Sequence, residues 1–393
     1  MMENGQDKPP ALVIEYTDPE EGFQGWLVRD TLTYGICAGG MRVQPGLTRE
    51  RLARMARNMT RKMRISGLRV DGAKSGIDYD PSAPGKRAAM ARFMAAILPY
   101  IRSSYSMGPD LNVEMAELDT IGQQLGLDSV KMAVAMAQGW DLPQYNARYA
   151  ILKQEIDGLP LGRLRVGFGV GVAALAVLDY LGIPYPRATV AVQGFGALAR
   201  AALHGLVRQG VRVVALADVE KCIIAEDGHE LDLNNLLRNE GTLLPTVSPG
   251  SGVRLAPREE IFHVPCDILI PAAVENSISE QVAVQMRVRA VVPGANLAVA
   301  AGAEALLSQK GVLVLPDFLA GCGGSLAMEG LFGPPEPPAP EQVLAHVGRR
   351  MAEMVRRVLS RSEAERISPT AAALRICAET VTPPGRPYGN PIA

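Results

Sequence analysis

One stretch, ATVAVQGFGALARAALHGLVRQGVRVVALAD at residues 188–218, constrains the fold more than any other part of the chain. It consists of an apolar β-like run, a glycine turn, a helical pattern, a second apolar run and an acidic residue. This order is typical of a β-α-β unit that binds a dinucleotide, in which the turn carries a G-x-G-x-x-G/A pattern. Further strand signals at 267–271, 290–292 and 312–315 alternate with helical patterns and predict a larger parallel sheet.

The turn itself reads Gly194-Phe195-Gly196-Ala197, with Ala199 completing the pattern. Gly194 permits the tight turn, and Gly196 lets the backbone approach a pyrophosphate at the start of the following helix. Ala199 keeps that helix close to the strand. These four turn residues are therefore predicted to bind the cofactor, although an ordinary turn without a ligand would show a similar local pattern.

Asp218 ends the second apolar run, 24 residues after Gly194. A carboxylate at this place can bind the ribose 2′-hydroxyl and repel a 2′-phosphate. The sequence therefore favours NAD over NADP, while the nearby Lys221 leaves NADP open.

A second stretch, residues 39–81, brings two lysines into a glycine-rich context. The pair Gly39-Gly40 is predicted to form a turn, and a helix is predicted over residues 48–65 with Lys62 near its end. Lys74 is predicted to lie in a glycine-flanked turn. Two such lysines can converge on one small anion, and an amine, unlike a guanidinium, can lose its proton near neutrality. Taken singly, each lysine could equally be a helix cap or a solvated turn residue.

At this segment the chain resembles the glutamate/leucine/phenylalanine/valine dehydrogenases, which oxidatively deaminate amino acids with a nicotinamide cofactor. The matching motifs read GGMR, MTRK and DGAKSGIDYDP here. The resemblance implies that Lys62 holds the substrate α-carboxylate beside Gly39 and Gly40, and that Lys74 is the catalytic base. It covers nearly the whole chain and implies a homo-oligomer assembled through the first domain.

Three later motifs extend the resemblance. CDILIPAAVEN and VVPGANLAV are similar to family segments beside the cofactor, and LPDFLAGCGGSLAM is similar to the PD-x-x-AN-x-GG motif. The first two imply that Ala272, Asn276 and Asn296 lie near the nicotinamide. The third implies that Gly324 and Met328 line the substrate site.

The family also has a catalytic aspartate, expected here within NVEMAELDT. Alignment through Val113 and Leu118 puts Glu117 at that position, with Asp119 as a second candidate. A glutamate moves the carboxylate by one methylene, and a displacement of about 1 Å can cost on the order of a hundredfold in rate. These acids could also serve only to cap and solvate a helix start.

Several positions depart from the family pattern. Ala38 replaces the lysine of the glutamate-specific branch, and Met328 replaces a serine that reads the side-chain carboxylate. A buried carboxylate without partners is costly, so a substrate other than glutamate is expected. Arg165-Val166-Gly167 replaces an Ala-Thr-Gly motif, and Gly321 replaces an asparagine.

Three functions fit these observations. The first is NAD-dependent dehydrogenation of an amino acid other than glutamate, or the reverse reductive amination or imine reduction. The second is a non-catalytic paralogue that binds a nucleotide or an amino acid and has a regulatory role. The third is an NAD-dependent reductase whose substrate lacks an α-carboxylate. Retention of Lys62, Lys74 and Asp218 favours the first function.

A chain of 393 residues is too long for one ordinary core and predicts two α/β domains. We expect a substrate-binding and oligomerisation domain over residues 1–150 plus 340–393, and a Rossmann-like NAD domain over 151–339. The net charge of -1 and the absence of a basic run predict no nucleic-acid partner, so small molecules are the expected ligands.

Cysteine and histidine usage predicts neither disulfides nor a metal. The five cysteines form no CxxC pair, and the four histidines have no ligand spacing. The start of the chain, MMENGQDKPP, does not read as a signal peptide, and the most apolar run, 166–183, reads as a packed helix rather than a membrane span. The expected location is a reducing cytoplasm.

Overall fold

The computed structural model describes residues 8–226, 229–238, 241–246, 252–380, 382–383 and 385–389. The chain forms two compact units. The first contains Met1–Tyr149, Phe332–Pro337 and Thr380–Ala393, and the second contains Ala150–Leu331 and Pro338–Glu379. Both are α/β units, as the sequence predicts.

The first unit contains a five-stranded mixed sheet. Its strands are β1 (Leu12–Thr17), β2 (Gln24–Arg29), β3 (Cys37–Val43), β4 (Asp71–Ile77) and β5 (Tyr105–Pro109). Its helices are α1 (Arg49–Ile65), α2 (Lys86–Ala96), α3 (Leu98–Ser103), α4 (Met115–Gln124), α5 (Met132–Gln138) and α6 (Leu142–Ile151), whose last two residues belong to the second unit.

The strand order in this sheet is β1-β2-β4-β3-β5. Strand β3 runs parallel to both β4 and β5, so the carboxyl ends of these three strands meet at one edge. The large core of the first unit lies on one face of the sheet and includes Phe93, Met94 and Tyr105. Helix α1 packs on the other face, where Leu52 and Met55 join Trp26 of β2 in a smaller core.

Helix α1 begins where the sequence predicts. The hydroxyl of Thr48 accepts a hydrogen bond from the backbone N–H of Arg51 at 3.2 Å, which caps the helix. The two predicted turns are wrong, however, because Gly39-Gly40 lies within β3 and Lys74 lies in the middle of β4. The glycines are needed because these strands approach neighbouring backbone very closely, not because the chain reverses there.

The second unit contains a seven-stranded sheet of order β11-β10-β9-β8-β12-β13-β14 and a two-stranded hairpin, β6-β7. The strands are β6 (Glu155–Ile156), β7 (Leu159–Pro160), β8 (Thr189–Gln193), β9 (Arg212–Ala217), β10 (Lys221–Ala225), β11 (Val253–Pro257), β12 (Cys266–Pro271), β13 (Val288–Val291) and β14 (Leu313–Val314). The neighbouring strands β9, β8, β12, β13 and β14 are parallel to one another. Strand β10 pairs antiparallel with β9, and β11 pairs antiparallel with β10.

The described residues of the second unit also form nine helices. They are α7 (Leu161–Tyr180), α8 (Ala197–Val207), α9 (Leu233–Arg238), α10 (Glu280–Gln285), α11 (Ala301–Gln309), α12 (Asp317–Ala320), α13 (Gly323–Phe332, whose last residue belongs to the first unit), α14 (Pro340–Glu365) and α15 (Pro369–Glu379). Short 3₁₀ helices occur at Tyr185–Arg187 and Arg258–Phe262.

Helix α7 packs against both α8 and α14 in this unit. A Cβ on Gly167 would lie 2.0 Å from the carbonyl oxygen of Leu198, so only glycine allows α7 and α8 to approach this closely. By length and composition α7 is the one helix of the described residues that could cross a membrane. Of its most apolar window, 61% is buried within the unit, as in the core helix that the sequence predicts.

The two C-terminal helices differ from the predicted domain division. Helix α14 packs on α7 and α15 packs on α14, so residues up to Glu379 belong to the second unit. Only the short segment that follows returns to the first unit, where the guanidinium of Arg69 donates to the carbonyl oxygen of Pro383 at 2.6 Å. The structure therefore places α14 and α15 in the second unit, beyond the boundary expected at residue 340, because α14 packs on α7 and α15 packs on α14.

Candidate active site and cofactor pocket

The first unit contains an ion-pair cluster of Lys74 in the middle of β4, Arg42 near the end of β3 and Asp110 directly after β5. Nζ of Lys74 lies 3.0 Å from Oδ2 of Asp110. Nε of Arg42 donates to the same oxygen at 2.7 Å. All three side chains are largely buried, so one carboxylate holds two cations in a place with little access to water.

Glycines make this arrangement possible. A Cβ on Gly40 would lie 2.9 Å from the Cβ of Asp110 and 2.9 Å from the carbonyl oxygen of Pro109. A Cβ on Gly39 would lie 1.8 Å from the carbonyl oxygen of Ala73 on β4. The glycine pair thus lets Asp110 lie above β3 beside Lys74, whereas its substrate contact stays a prediction.

Lys62 lies close enough to Lys74 for its charge to act on that amine. Both are buried, with 8% and 4% of their surface exposed. Burial is the main cause that lowers the pKa of Lys74, and the positive charges of Arg42 and Lys62 lower it further. Asp110 opposes this shift but does not cancel it. Lys74 is therefore closer to neutrality than an ordinary lysine.

Asp110 itself stays ionised. Desolvation is the largest single influence and raises its pKa, but the charges and hydrogen bonds of Lys74 and Arg42 together outweigh it and lower the pKa to about 2. At neutral pH the cluster is a carboxylate with two direct cationic partners, and Lys62 adds a further positive charge nearby. This combination attracts an anionic group.

The structure brings Asp110, and not Glu117, to Lys74. The carboxylate of Glu117 accepts hydrogen bonds from Nζ of Lys86 at 2.8 and 3.0 Å and from the backbone N–H of Glu114 at 2.9 Å. Glu117 therefore forms an ion pair with Lys86 and, together with Glu114, the capping box at the start of α4. The second candidate, Asp119, accepts a hydrogen bond from the hydroxyl of Tyr149 at 3.1 Å. The structure thus places Asp110 beside Lys74 and pairs Glu117 with Lys86, and the catalytic role expected for Glu117 stays a prediction.

Sequence reasoning missed Asp110 because β5 was not predicted. The string YSMGPD alternates larger residues with the small Ser106 and Gly108 and places an aspartate directly after the strand. In a parallel sheet, residues that follow neighbouring strands lie close together at one edge. Prediction of a strand at Tyr105–Pro109 beside β3 would therefore have pointed to Asp110.

The second unit contains the predicted glycine turn between β8 and α8. Gly194 has φ +104, a conformation that favours glycine, and its N–H donates to the carbonyl oxygen of Ala217 at 2.7 Å. Gly196 is the N-cap of α8, and a Cβ there would meet no atom within 4 Å. Ala197 is the first helical residue. The N-terminal end of α8 is thus open to a phosphate group.

Asp218 follows β9 and is held by backbone groups. One carboxylate oxygen accepts from the N–H groups of Glu220 and Lys221 at 2.7 and 2.8 Å, and the other accepts from the N–H of Leu244 at 2.6 Å. Desolvation is the largest influence and raises its pKa, but these hydrogen bonds reverse the shift and the pKa is lowered. Asp218 is therefore a fixed anion.

A pocket of about 450 Å³ opens between the turn and Asp218. Five of the predicted cofactor residues line it, namely Gly194, Phe195, Gly196, Asp218 and Ala272. Residues that the sequence analysis missed also line it, including Thr242, Arg258, Glu259 and Phe262. They come from the loop at Thr242 and from the 3₁₀ helix that follows β11, and no motif marks them in the sequence.

Ala197, Asn276 and Asn296 are not among the residues that line this pocket. Asn276 has φ +52, and its N–H donates to the carbonyl oxygen of Leu297 at 2.7 Å. The loops after β12 and β13 are therefore joined side by side at the carboxyl edge of the parallel sheet. The predicted contact of the two asparagines with the nicotinamide stays a prediction.

Gly324 and Met328 lie in α13 of the second unit. The guanidinium of Arg165 on α7 donates to the carbonyl oxygen of Gly324 at 3.0 Å. Arg165 thus supports the first turn of α13, and its charge lies beside Gly324. The predicted substrate contacts of Gly324 and Met328 stay predictions.

Among the described residues, no group of three or more histidine, cysteine or acidic side chains could hold a metal ion. The parallel sheet, the open glycine turn and the fixed carboxylate after β9 instead define a Rossmann-like dinucleotide-binding unit. These groups fit a dinucleotide: backbone N–H groups at the start of α8 can donate to a phosphate, and the Asp218 carboxylate can accept from ribose hydroxyl groups.

Comparison with protein families agrees with this class. Residues 162–382 match the family model of glutamate/leucine/phenylalanine/valine dehydrogenase. Residues 10–126 match the dimerisation domain of the same dehydrogenases. The chain therefore belongs to the Glu/Leu/Phe/Val dehydrogenase family of oxidoreductases.

Characterised relatives are glutamate dehydrogenases. The chain is 32% identical to the NADP(+)-dependent glutamate dehydrogenase of Pyrobaculum calidifontis over 77% of its own length and 71% of the relative. It is 28% identical to the NAD-specific enzyme of Clostridioides difficile over 81% of its length and 76% of that protein.

Solved structures show the same fold. The hetero-hexameric glutamate dehydrogenase of Thermus thermophilus, in its leucine-bound form, has a TM-score of 0.76 and 28% identity over 97% of this chain and 90% of that one. The fold is also shared with L-tryptophan dehydrogenase from Nostoc punctiforme, with a TM-score of 0.61 and 16% identity over 94% and 95%.

Proposed function

We propose that this protein catalyses the NAD-dependent oxidative deamination of an amino acid other than glutamate, or the reverse reductive amination. The observation that carries the proposal is the buried Lys74–Asp110 ion pair with Lys62 in the same cluster. A pocket with the features of a dinucleotide site, in the second unit, supports the choice of reaction.

Lys62 is the residue we assign to the substrate α-carboxylate. The cluster of Arg42, Lys62, Lys74 and Asp110 has more positive than negative groups, so a carboxylate completes its charge balance. Because Lys62 is buried, its attraction for the carboxylate is less weakened by water than that of a surface lysine.

Lys74 is the residue we assign as general base. NAD, when bound, accepts the hydride that leaves the substrate α-carbon, and the amino group becomes an imine. Lys74 in its neutral form then takes a proton from the water that attacks the imine carbon. Asp110 orients the amine of Lys74 and stabilises the ammonium that results. Lys74 returns this proton to the nitrogen, and the proton of the new hydroxyl group then moves through Lys74 to the nitrogen, so that ammonia leaves and a keto acid forms.

The substrate side chain is proposed to differ from that of glutamate. Ala38 and Met328 lack the polar groups found at these positions in the glutamate-specific branch. A carboxylate that loses such partners costs free energy when it is buried. The characterised relatives named above act on glutamate, so this part of the proposal rests on the two replacements alone.

NAD is the cofactor we propose. The Asp218 carboxylate lines the pocket and would repel the 2′-phosphate of NADP. Arg258 also lines this pocket and could attract that phosphate, so the two residues have opposite effects. Relatives include NAD-specific and NADP-specific enzymes. The fixed position of Asp218 supports NAD as the better ligand.

A homo-oligomer in the cytoplasm is the proposed form. Residues 10–126 match a dimerisation domain, and the similar Thermus thermophilus protein is a hetero-hexamer. The five cysteines are free thiols, which agrees with a reducing compartment. Light scattering of the purified chain tests the assembly, and a monomer at micromolar concentration would contradict it.

The catalytic proposal is tested by following reduced-cofactor absorbance with NAD or NADP against a panel of amino acids, and in reverse with keto acids plus ammonia. Wild type, Lys74→Ala and the exposed-lysine control Lys153→Ala are compared. Turnover that Lys74→Ala abolishes and Lys153→Ala retains is the expected result.

Cofactor binding measured by calorimetry separates the alternatives. If NAD binds but no amino acid, keto acid or imine is turned over, the proposal fails and a regulatory paralogue is favoured. If turnover survives in Lys74→Ala, the assignment of the base is wrong.

A further inference from the structure

The short loop after β5 carries Asp110 and leads through Val113 to the start of α4. The N–H of Val113 donates to the carbonyl oxygen of Asp110 at 3.0 Å, so these four residues form a hydrogen-bonded turn. Asn112 is the third residue of the turn and has φ +61. A turn with a positive φ at its third residue needs glycine or asparagine there. The backbone shape alone would therefore accept either residue.

Asparagine differs from glycine by its side-chain amide, which binds the end of β3. Nδ2 of Asn112 donates to the carbonyl oxygen of Val43 at 3.0 Å. The N–H of Val43 donates in the other direction, to the carbonyl oxygen of Leu111 at 3.2 Å. Both backbone groups of Val43 are therefore bound to the loop that carries Asp110.

The side-chain bond replaces a backbone bond that the turn has removed. In a parallel pair, the N–H and the C=O of one residue bond to residues on either side of its partner. A continued ladder would give the carbonyl oxygen of Val43 the N–H of Val113, but that N–H closes the turn on Asp110. Val43 is completely buried, and a buried carbonyl oxygen without a donor costs free energy. Asn112 supplies the missing donor.

Arg42, the neighbour of Val43 on β3, adds a third bond between the same two segments. Its Nε donates to Oδ2 of Asp110 at 2.7 Å, and the same oxygen lies 3.0 Å from Nζ of Lys74. The bond from Arg42 holds the carboxylate, whereas the bond from Asn112 holds the backbone from which that carboxylate extends. The loop therefore depends on both bonds to keep Asp110 beside Lys74.

We infer that Asn112 is a positioning residue for the proposed reaction: its side-chain amide fixes the loop after β5 so that the Asp110 carboxylate stays beside the amine of Lys74. The inference rests on the proposed function and adds a residue to it. Asn112 acts through Asp110, and the turn by itself does not require the amide, since glycine would form the same turn.

Two variants separate the side-chain bond from the shape of the turn. Asn112→Gly keeps the positive φ and removes the amide, and Asn112→Asp keeps the side-chain shape but puts an acceptor where a donor is needed. We expect both to lower kcat at least about tenfold, because displacement of a catalytic group by about 1 Å can cost on the order of a hundredfold. Wild-type kcat in Asn112→Gly would overturn the inference, because only the turn would then matter.

Arg366→Gly is the matched control for the backbone change. Arg366 has φ +53 at the end of α14 in the second unit, so glycine relaxes the same conformation there. We expect its kcat to equal that of wild type. Circular dichroism checks that all variants are folded.

A double-mutant cycle with Asp110→Asn tests whether Asn112 acts through Asp110. If the amide only holds Asp110 in place, adding Asn112→Gly to Asp110→Asn should lower kcat by less than about twofold. An equal loss in both backgrounds would show that the two residues act independently and would overturn the inference.

The pH profile gives a readout that a general loss of folded protein does not change. Asp110 raises the pKa of Lys74, so a carboxylate that moves away lets this pKa fall further. The rising limb of kcat/KM should therefore move to lower pH in Asn112→Gly while the maximum falls. A lower maximum with an unmoved limb would mean that Asp110 has kept its place, which contradicts the inference.

A crystal structure of Asn112→Gly tests the geometry without turnover. The distance from Nζ of Lys74 to Oδ2 of Asp110, 3.0 Å in the wild type, should lengthen by about 1 Å. An unchanged distance would overturn the inference. Failure of the proposed function would appear separately, as absence of Lys74-dependent turnover in the wild type, and would leave this structural comparison valid.

Discussion

Nζ of Lys74 lies 3.0 Å from Oδ2 of Asp110, and the guanidinium of Arg42 donates to the same oxygen at 2.7 Å. The lysine and the aspartate are 36 positions apart in the chain, on β4 and after β5. Their contact depends on Gly40, because any side chain there would occupy the place of Asp110. The proposed reaction therefore depends on strand register as much as on residue identity.

The assignment of Asp110 gives the first prediction. Asp110→Asn keeps the shape of the side chain but removes the charge that orients Lys74. We expect kcat to fall about 10²- to 10⁴-fold, the usual range for loss of an acid or base group. Steady-state kinetics with the best substrate of the panel measures this, and calorimetry should give an unchanged affinity for NAD.

Glu117→Gln is the matched control. Glu117→Gln keeps an acceptor for the N–H of Glu114 and loses only the ion pair with Lys86, so we expect kcat to stay within about threefold and the unfolding free energy to fall by less than about 1 kcal/mol. A loss of kcat in Glu117→Gln as large as that in Asp110→Asn would contradict the assignment.

The pH dependence follows from the lowered pKa of Lys74. The neutral amine is the active base, so kcat/KM for deamination should rise with pH through a pKa below the ordinary lysine value of about 10.4. Arg42 lowers the pKa of Lys74, so Arg42→Gln should move the rising limb to higher pH. A pH–rate profile of both proteins is the measurement, and a shift to lower pH would contradict the electrostatic argument.

Gly40 gives a prediction about packing. Gly40→Ala adds a Cβ 2.9 Å from both the Cβ of Asp110 and the carbonyl oxygen of Pro109, so Asp110 must move away from Lys74. We expect kcat to fall at least about tenfold, since displacement of a catalytic group by about 1 Å can cost a hundredfold. Gly348→Ala on α14, with its nearest neighbour at 3.7 Å, is the control and should leave kcat unchanged.

Cofactor choice gives the fourth prediction. Asp218→Asn removes the negative charge and keeps an acceptor for the N–H groups of Glu220 and Lys221, whereas the N–H of Leu244 loses its acceptor. We expect the ratio of kcat/KM for NAD to that for NADP to fall about tenfold, because repulsion of the 2′-phosphate is lost. If wild type already prefers NADP, Arg258 and not Asp218 controls the choice, and Arg258→Gln should then weaken NADP binding.

The sequence by itself determined the local chemistry of this protein. The glycine turn at 194–197 and Asp218 were predictable because a β-α-β unit is a local structure with fixed spacing. The motifs around Lys62 and Lys74 carried the family resemblance, which is confirmed, whereas the roles of the two lysines stay predictions. The same local signals misplaced Gly39, Gly40 and Lys74 in turns, since glycine in a strand and glycine in a turn look alike in sequence.

Only the tertiary structure decided which carboxylate meets Lys74. Asp110 reaches this face of the sheet through the pairing of β5 with β3. Strand register joins residues that are far apart in sequence, and a shift of one residue would turn each side chain to the opposite face. Long-range pairing of this kind leaves no local pattern, which is why Glu117 was chosen from sequence and Asp110 was found only in the folded chain.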